Sequence, residues 1–306
     1  MKRYRFVDYL TQLYLLVVGL LIVLFHGQQV PWWQVYVAGH VTCMLVIHLL
    51  LKAHDRRPES RLLDLLRHFY PILLYAVFYR ETGALNQMFV RGMLDNLFIG
   101  ADQYLFGFQP SIAFMDWLPY LPVSELFYAS YFSYYVMIGG IGVILYFQDK
   151  RNFFHYVSIV SFVFCLCYLT YIVLPVAGPH MFWAPVDMFP QQTLVPFPEV
   201  VQRGPFFNIM KFIYDHFEAH GAAFPSSHVA IAICTIWFSW RYIPKIRYVH
   251  LVVLILLILS TVYCRYHYVV DVLGGAATTA ILMPLGELLH RKCGEAGATS
   301  AGRATT

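Results

Sequence analysis

The chain has 306 residues, of which 59% are hydrophobic, 18% aromatic and only 12% charged, against about a quarter charged in an ordinary soluble domain. Its apolar residues run along the whole length, which excludes a pair of soluble domains and points to a polytopic membrane protein. The net charge of +4 comes from small basic clusters between apolar runs, with no basic, aromatic-interleaved patch of the kind nucleic acid requires.

The first residues, MKRYRF, lead into LTQLYLLVVGLLIVLF. No A-x-A-like cleavage site follows and a second apolar run starts almost at once, so this reads as a retained first span rather than a signal peptide. Apolar runs predict spans near 10–26, 32–51, 63–79, 125–147, 154–176, 226–243, 248–264 and 268–289. Each except the third approaches the ~20 residues that cross a bilayer. The third carries Asp64, Arg67, His68 and Pro71 and is the least secure. Continuous runs of this kind, without period-two alternation, select α-helices over a closed barrel. The intramembrane histidines His40 and His48 read as satisfied core residues. Five of the six cysteines lie inside apolar runs. Their spacing fits neither a zinc site nor a disulfide framework, so they read as small buried side chains.

Eight spans put both termini on one side of the membrane. With them fall Lys2, Arg3, Arg5, Lys52, Arg56, Arg57, Arg61, Arg67, Lys150, Arg151, Arg241, Lys245, Arg247, Arg291, Lys292 and Arg303, sixteen of the 21 basic residues. By the positive-inside rule that side is cytoplasmic. The loops 80–124 and 177–225 then face outward. In the first, Leu85, Met88, Phe89, Met93 and Leu97 recur at roughly helical spacing and predict an amphipathic or packed loop helix. The second is rich in Pro, Phe and Trp and suits the roof of a site. The expected organisation is an N-terminal transmembrane hairpin with a basic loop over 1–62, a catalytic transmembrane core over 63–290 and a disordered cytoplasmic tail over 291–306.

The stretch GAAFPSSHVAIAI, 221–233, sets Pro-Ser-Ser-His at the mouth of an apolar run. Pro225 suits the first turn of a helix. A helix start offers free N–H groups and partial positive charge, a ready anion site. Ser226 and Ser227 add donors, and His228 can exchange a proton near neutral pH. Simple helix capping with an interfacial histidine explains this stretch when it is taken alone.

A second stretch, STVYCRYHYVVDVLGG over 260–275, holds Arg265, His267 and Asp271. A helix descending about 18 residues from 226 covers ~27 Å, close to the hydrocarbon thickness. RYIPKIR turns at the far face and the run 248–264 climbs back, which returns His267 to the level of His228. His267 and Asp271 are spaced i, i+4 and share a face on a helix. A carboxylate on one ring nitrogen fixes the tautomer and leaves the other nitrogen as a nucleophile. A buried ion pair with His267 or Arg265 is the plainer role for Asp271.

FPSSH followed by STVYCRYHYVVD resembles the motifs of the type-2 phosphatidic acid phosphatase superfamily of integral membrane enzymes. It is most similar to the inositol phosphorylceramide synthase branch, with DQYLFG and LPVAGP upstream also alike. The resemblance covers roughly 63–290. It implies an all-α polytopic membrane protein with a six-helix phosphatase-type core and an N-terminal two-helix addition. It also implies that His267 attacks phosphorus to give a phosphohistidine and that Asp271 orients and charge-balances that ring. His228 would protonate the leaving group and then deprotonate the acceptor, while Ser226, Ser227 and the helix-start amides hold phosphate oxygens. No metal or cofactor is required. The substrate is a phospholipid, sphingolipid or prenyl phosphate, with a polyol as a possible acceptor.

Two departures stand out. The superfamily's third-motif arginine falls at Thr261, and its first motif, a lysine, six residues and Arg-Pro, does not precede VAGPHMFW. Arg265 is the first candidate to meet the phosphate charge instead. His180, Arg203 and Lys211 are weaker ones. In DHFEAH, His216 and His220 mimic a zinc helix, but Glu218 is misplaced for H-E-x-x-H. Lipid phosphotransfer to an alcohol at the extracytoplasmic face is the leading expectation, with a phosphatase using water as the alternative. A transporter or scramblase with a His/Asp relay is the rival from another class, though such a relay belongs near the midplane.

Overall fold

The computed structural model describes residues 4–180 and 196–302, with side chains to 293. Among these residues the chain is helical apart from turns and one isolated bridge between Val176 and Ala222. The helices are α1 (Phe6–Phe25), α2 (Trp33–Arg56), α3 (Arg61–Leu85), α4 (Asp95–Phe106), α5 (Pro110–Trp117), α6 (Leu121–Gln148), α7 (Lys150–Val173), α8 (Glu199–Gln202), α9 (Pro205–Phe217), α10 (Ser227–Tyr242), α11 (Arg247–Tyr263) and α12 (Val269–Gly302). All eight predicted spans are helices. Six of them are long and apolar enough to cross a membrane, and the protein is an all-α polytopic membrane protein.

α10 and α11 are the shortest of the eight, at 16 and 17 residues. At 1.5 Å per residue, α10 is roughly 24 Å long. It packs against α6, α7, α11 and α12, and most of its side chains are buried. A helix wrapped by other helices need not match the lipid thickness by itself.

α7 is the central helix, with 78% of its apolar window buried inside the protein. α1, α3, α6, α10 and α12 pack around it. In lipid, helix association rests on close packing and internal hydrogen bonds rather than on the hydrophobic effect. The polar residues of α3 follow that rule. Arg67 pairs with Asp8 of α1 at 2.5 Å, and Tyr70 donates to the other oxygen of the same carboxylate. Asp64 accepts from Lys150 and Tyr146 at 2.6 and 2.5 Å. His40 bridges the Leu15 carbonyl and Glu81, while His48 meets the Tyr4 hydroxyl. Most of these groups have a partner on another segment of the bundle, whereas His68 bonds the Asp64 carbonyl of its own helix.

One end of the bundle gathers the basic clusters. There Arg5 lies over Phe154, Phe6 meets His290 edge-on, and His155 bonds Tyr242 and Glu287. The opposite end carries the start of α10, the α11–α12 turn and the start of α12. It also carries the Leu94 N–H to Pro175 carbonyl bond, which anchors the start of α4 to the end of α7.

Two sequence expectations need correction. The predicted loop helix over 85–97 is absent: α3 ends at Leu85, residues 86–94 form turns, and a helix resumes only at Asp95. Gly92 takes a left-handed φ of 81° and donates its N–H to Gln87, which stops any helix there. The tail expected to be disordered from 291 continues α12 as far as Gly302.

Candidate active site

The start of α10 is built by capping. The Ser226 hydroxyl accepts the Val229 N–H, and the Ser226 N–H donates to the Asp271 carbonyl, which ties this start to the first turn of α12. Pro225 was expected in the first turn but lies before the cap, after a cis peptide bond. Its carbonyl accepts the Tyr171 hydroxyl at 2.9 Å, and that hydroxyl oxygen in turn accepts the Ser227 N–H at 3.2 Å. Both serines are buried at this junction.

One residue further on, the His228 ring is held between Tyr131 and Tyr134, with ring centroids 4.6 and 4.3 Å away. The Tyr131 hydroxyl lies 3.0 Å from Nε2 of His228 and 2.6 Å from the Tyr214 hydroxyl.

His267 does not sit on α12. It occupies the tight turn after α11, where the Thr261 carbonyl accepts the N–H groups of both Tyr266 and His267. Arg265 makes the turn with a φ of 60°, a left-handed conformation that costs a non-glycine residue about 1–2 kcal/mol. The ring is aimed so that Nε2 lies 3.4 Å from Nδ1 of His228 and Nδ1 lies 3.4 Å from Oδ2 of Asp271. The i, i+4 pair therefore forms from a turn to a helix, not along one helix face. Asp271 is fully buried and accepts the Tyr268 N–H at 2.9 Å. Burial, then the nearby His228 and His180, hold the His267 ring well below its ordinary 6.5. At neutral pH its lone pair is available.

Two carboxylates that sequence reasoning passed over position these groups. Asp102 accepts the N–H groups of Val269 and Val270 at 2.9 and 3.1 Å, capping α12. Asp95 accepts those of Ala177 and Gly178, both at 2.8 Å, and the Tyr268 hydroxyl. Burial raises the pKa of each, and these backbone donors oppose it. The readable signal was two acids seven residues apart on one face of an extramembrane helix, one of them opening DQYLFG.

The remaining candidates are placed as follows. The buried Arg265 guanidinium pairs with Asp116 of α5 at 3.0 Å and reaches the Pro196 carbonyl. His180 bonds Glu218 at 3.0 Å and stands edge-on to Tyr214 and Tyr266. Arg203 and Lys211 are exposed and pair with Glu199 and Asp215 of their own helices. α9 stops at Phe217, so His216 and His220 do not share a helix face, and Glu218 turns to His180. A cavity of about 440 Å³ reaches Ser227 and His228 from between α3, α6 and α7. Its walls are largely tyrosine and phenylalanine, and Arg80 stands on its rim. Neither the cavity nor Arg80 was foreseen from sequence.

The arrangement offers a neutral nucleophilic imidazole backed by a carboxylate, a second imidazole in contact with it, and an apolar cavity alongside. Comparison with protein-family models matches residues 98–285 to the PAP2 superfamily. The match encloses both histidines, Asp102 and Asp271, and leaves α1–α3 outside. No curated protein and no solved structure gave a match.

Proposed function

The chain belongs to the PAP2 superfamily, whose members are lipid phosphatases and phosphotransferases, and from that premise we propose that it moves a phosphoryl or phospho-headgroup from a membrane lipid to an alcohol through a phosphohistidine on His267. The observation that carries this is the 3.4 Å contact of His267 Nε2 with His228, made while Nδ1 faces Asp271.

In the first step the Nε2 lone pair of His267 forms the N–P bond. The P–O bond to the leaving group breaks, and His228 gives that oxygen its proton. Asp271 balances the charge left on the ring. In the second step His228 takes the proton of the acceptor hydroxyl, its oxygen attacks phosphorus, and the N–P bond breaks. The two nitrogens touch in the structure. Because reacting atoms sit about 3 Å apart, a phosphoryl group between them requires His228 to swing toward the 440 Å³ cavity it lines. The α10 start, with Ser226 and Ser227, lies where phosphate oxygens arrive. Arg80 on the cavity rim is the cation placed to meet their charge, since the Arg265 guanidinium is held by Asp116.

Lipid enters from the bilayer through the apolar cavity, and its walls favour an alcohol over bulk water. An inositol phosphorylceramide synthase-like transferase fits this reading. With water as acceptor the same two steps make a lipid phosphatase. The site end is the one opposite the basic clusters, which supports reading it as extracytoplasmic and the termini as cytoplasmic. The polar groups cluster at that end rather than at the midplane, unlike a transporter relay.

The test is purified protein incubated with phosphatidic acid, phosphatidylinositol and prenyl diphosphates, with and without chelator and added myo-inositol. Phosphate release or transfer that survives chelation and vanishes in His267→Ala supports the reading. Activity that needs a divalent ion and persists in that variant contradicts it.

A further inference from the structure

A second and larger cavity, about 1310 Å³, opens between the N-terminal hairpin and the core, against α2, α3 and α9. Its deeper walls are apolar, with Leu15, Leu74 and Phe78 among them. Its polar face holds two histidine–carboxylate pairs, His40–Glu81 at 2.7 Å and His180–Glu218 at 3.0 Å, all four side chains about nine-tenths buried. His40 also bonds the Leu15 carbonyl, so Nδ1 carries a proton and Nε2 shares one with Glu81. The one guanidinium facing this cleft among the described residues, Arg80, donates to the His216 and Glu218 carbonyls. Such a face binds hydroxyls well and a phosphate dianion poorly.

The cleft adjoins the reaction centre. Arg80, Tyr214 and Glu218 line both it and the cavity that reaches His228. From Tyr214 a hydroxyl chain runs through Tyr131 to His228, with steps of 2.6 and 3.0 Å. The residues that build the far wall, on α1–α3, lie outside the family match.

Resting on the phosphotransfer reading above, we infer that this cleft is a second substrate site that takes an amphiphilic alcohol. Its chain lies along the N-terminal hairpin and its hydroxyl meets the histidine–carboxylate pairs beside the wall shared with the donor cavity. A buried histidine–carboxylate pair that only joined two helices would be closed over by them; both pairs here face open volume.

The experiment uses the full chain in lipid nanodiscs and a diazirine-bearing hexadecanol as photoprobe. Gly39 lines the cleft and a side chain added there meets nothing within 4 Å, so Gly39→Trp fills it. The expected result is crosslinking to peptides spanning 35–43 and 77–84, lost in Gly39→Trp. Labelling elsewhere, or cleft labelling unchanged by the substitution, overturns the inference. Val35→Trp, at the exposed mouth of the cleft, repeats the test if Gly39→Trp does not fold. In turnover, the ratio of transfer to long-chain alcohol over phosphate release is expected to fall by about tenfold or more in the filled variant. An unchanged ratio overturns the inference. If the wild type turns over no lipid phosphate, the phosphotransfer reading fails, and the photolabelling still decides whether the cleft holds an alcohol.

Discussion

Asp102 of α4 accepts the backbone N–H of Val269, the first residue of α12, at 2.9 Å, and that of Val270 at 3.1 Å. A helix outside the family's paired motifs thus caps the helix that carries Asp271. Losing a cap costs about 0.5–2 kcal/mol. Asp102→Ala is expected to lower thermal stability by that order and to reduce turnover by loosening Asp271. Asp102→Asn, which keeps an acceptor, is expected to recover most of the stability. Equal losses in the two variants contradict a capping role.

Asp271 combines two roles that can be separated. Its Oδ2 accepts the Tyr268 N–H and faces His267 Nδ1. Asp271→Asn keeps the acceptor but removes the charge. Expected are a melting temperature close to wild type and a fall in kcat of about 10²–10⁴, the range for a group assisting proton transfer and charge balance. A variant with full activity rules out charge balance by this residue.

Tyr131 contacts the His228 ring through its hydroxyl. Tyr131→Phe removes its contacts with His228 and Tyr214, of which the neutral hydrogen bond to the imidazole is worth about 1 kcal/mol. The expected result is a roughly fivefold lower kcat with little change in KM, together with a shifted basic limb of the pH profile. A change confined to KM makes Tyr131 a wall of the substrate cavity instead.

The pH dependence has a definite sign. Burial holds the His267 ring below its ordinary 6.5, so the folded state prefers it neutral. Its contribution to stability is complete above 6.5 and is lost as the pH falls below that value toward the folded pKa. The stability difference between wild type and His267→Ala is therefore expected to shift against wild type between pH 7 and pH 5. The acid limb of kcat/KM is expected to lie below 6.5. An acid limb at or above 6.5 contradicts a nucleophile buried in its neutral form.

Gly275 of α12 lies against the start of α10, where an added Cβ would strike the Ser226 carbonyl. Overpacking of this kind costs about 1–3 kcal/mol. Gly275→Ala is expected to lower stability by that order and to cut activity by moving His228 relative to His267. Gly139→Ala, where an added Cβ meets nothing within 4 Å, serves as the control. Equal effects at both positions remove the packing argument.

Much of this was readable in sequence because hydropathy is a local property. The apolar runs gave all eight long helices, and the two histidine motifs were brought to one end by counting residues along α10 and α11. What resisted reading depends on partners far away in the chain. Asp8 and Arg67 are 59 residues apart, and Asp64 and Lys150 are 86 apart, so the polar third span looked insecure until its partners were visible. Arg265 looked available for phosphate because its pairing with Asp116 lies 149 residues away. The turn over 86–94 was hidden because its residues keep a helical apolar spacing while Gly92 breaks the backbone. The roof expected over 177–225 lies partly outside the described residues.

The central claim is a covalent bond between phosphorus and His267, and trapping that bond tests it most directly. Protein incubated briefly with ³²P-labelled lipid phosphate, quenched in alkali and digested, is expected to carry acid-labile, alkali-stable label on the peptide containing His267. His228→Ala should accept label more slowly, for want of the leaving group's proton, and release it slowly as well. Label found on another residue, or turnover in a protein that never becomes labelled under a rapid quench, contradicts the account.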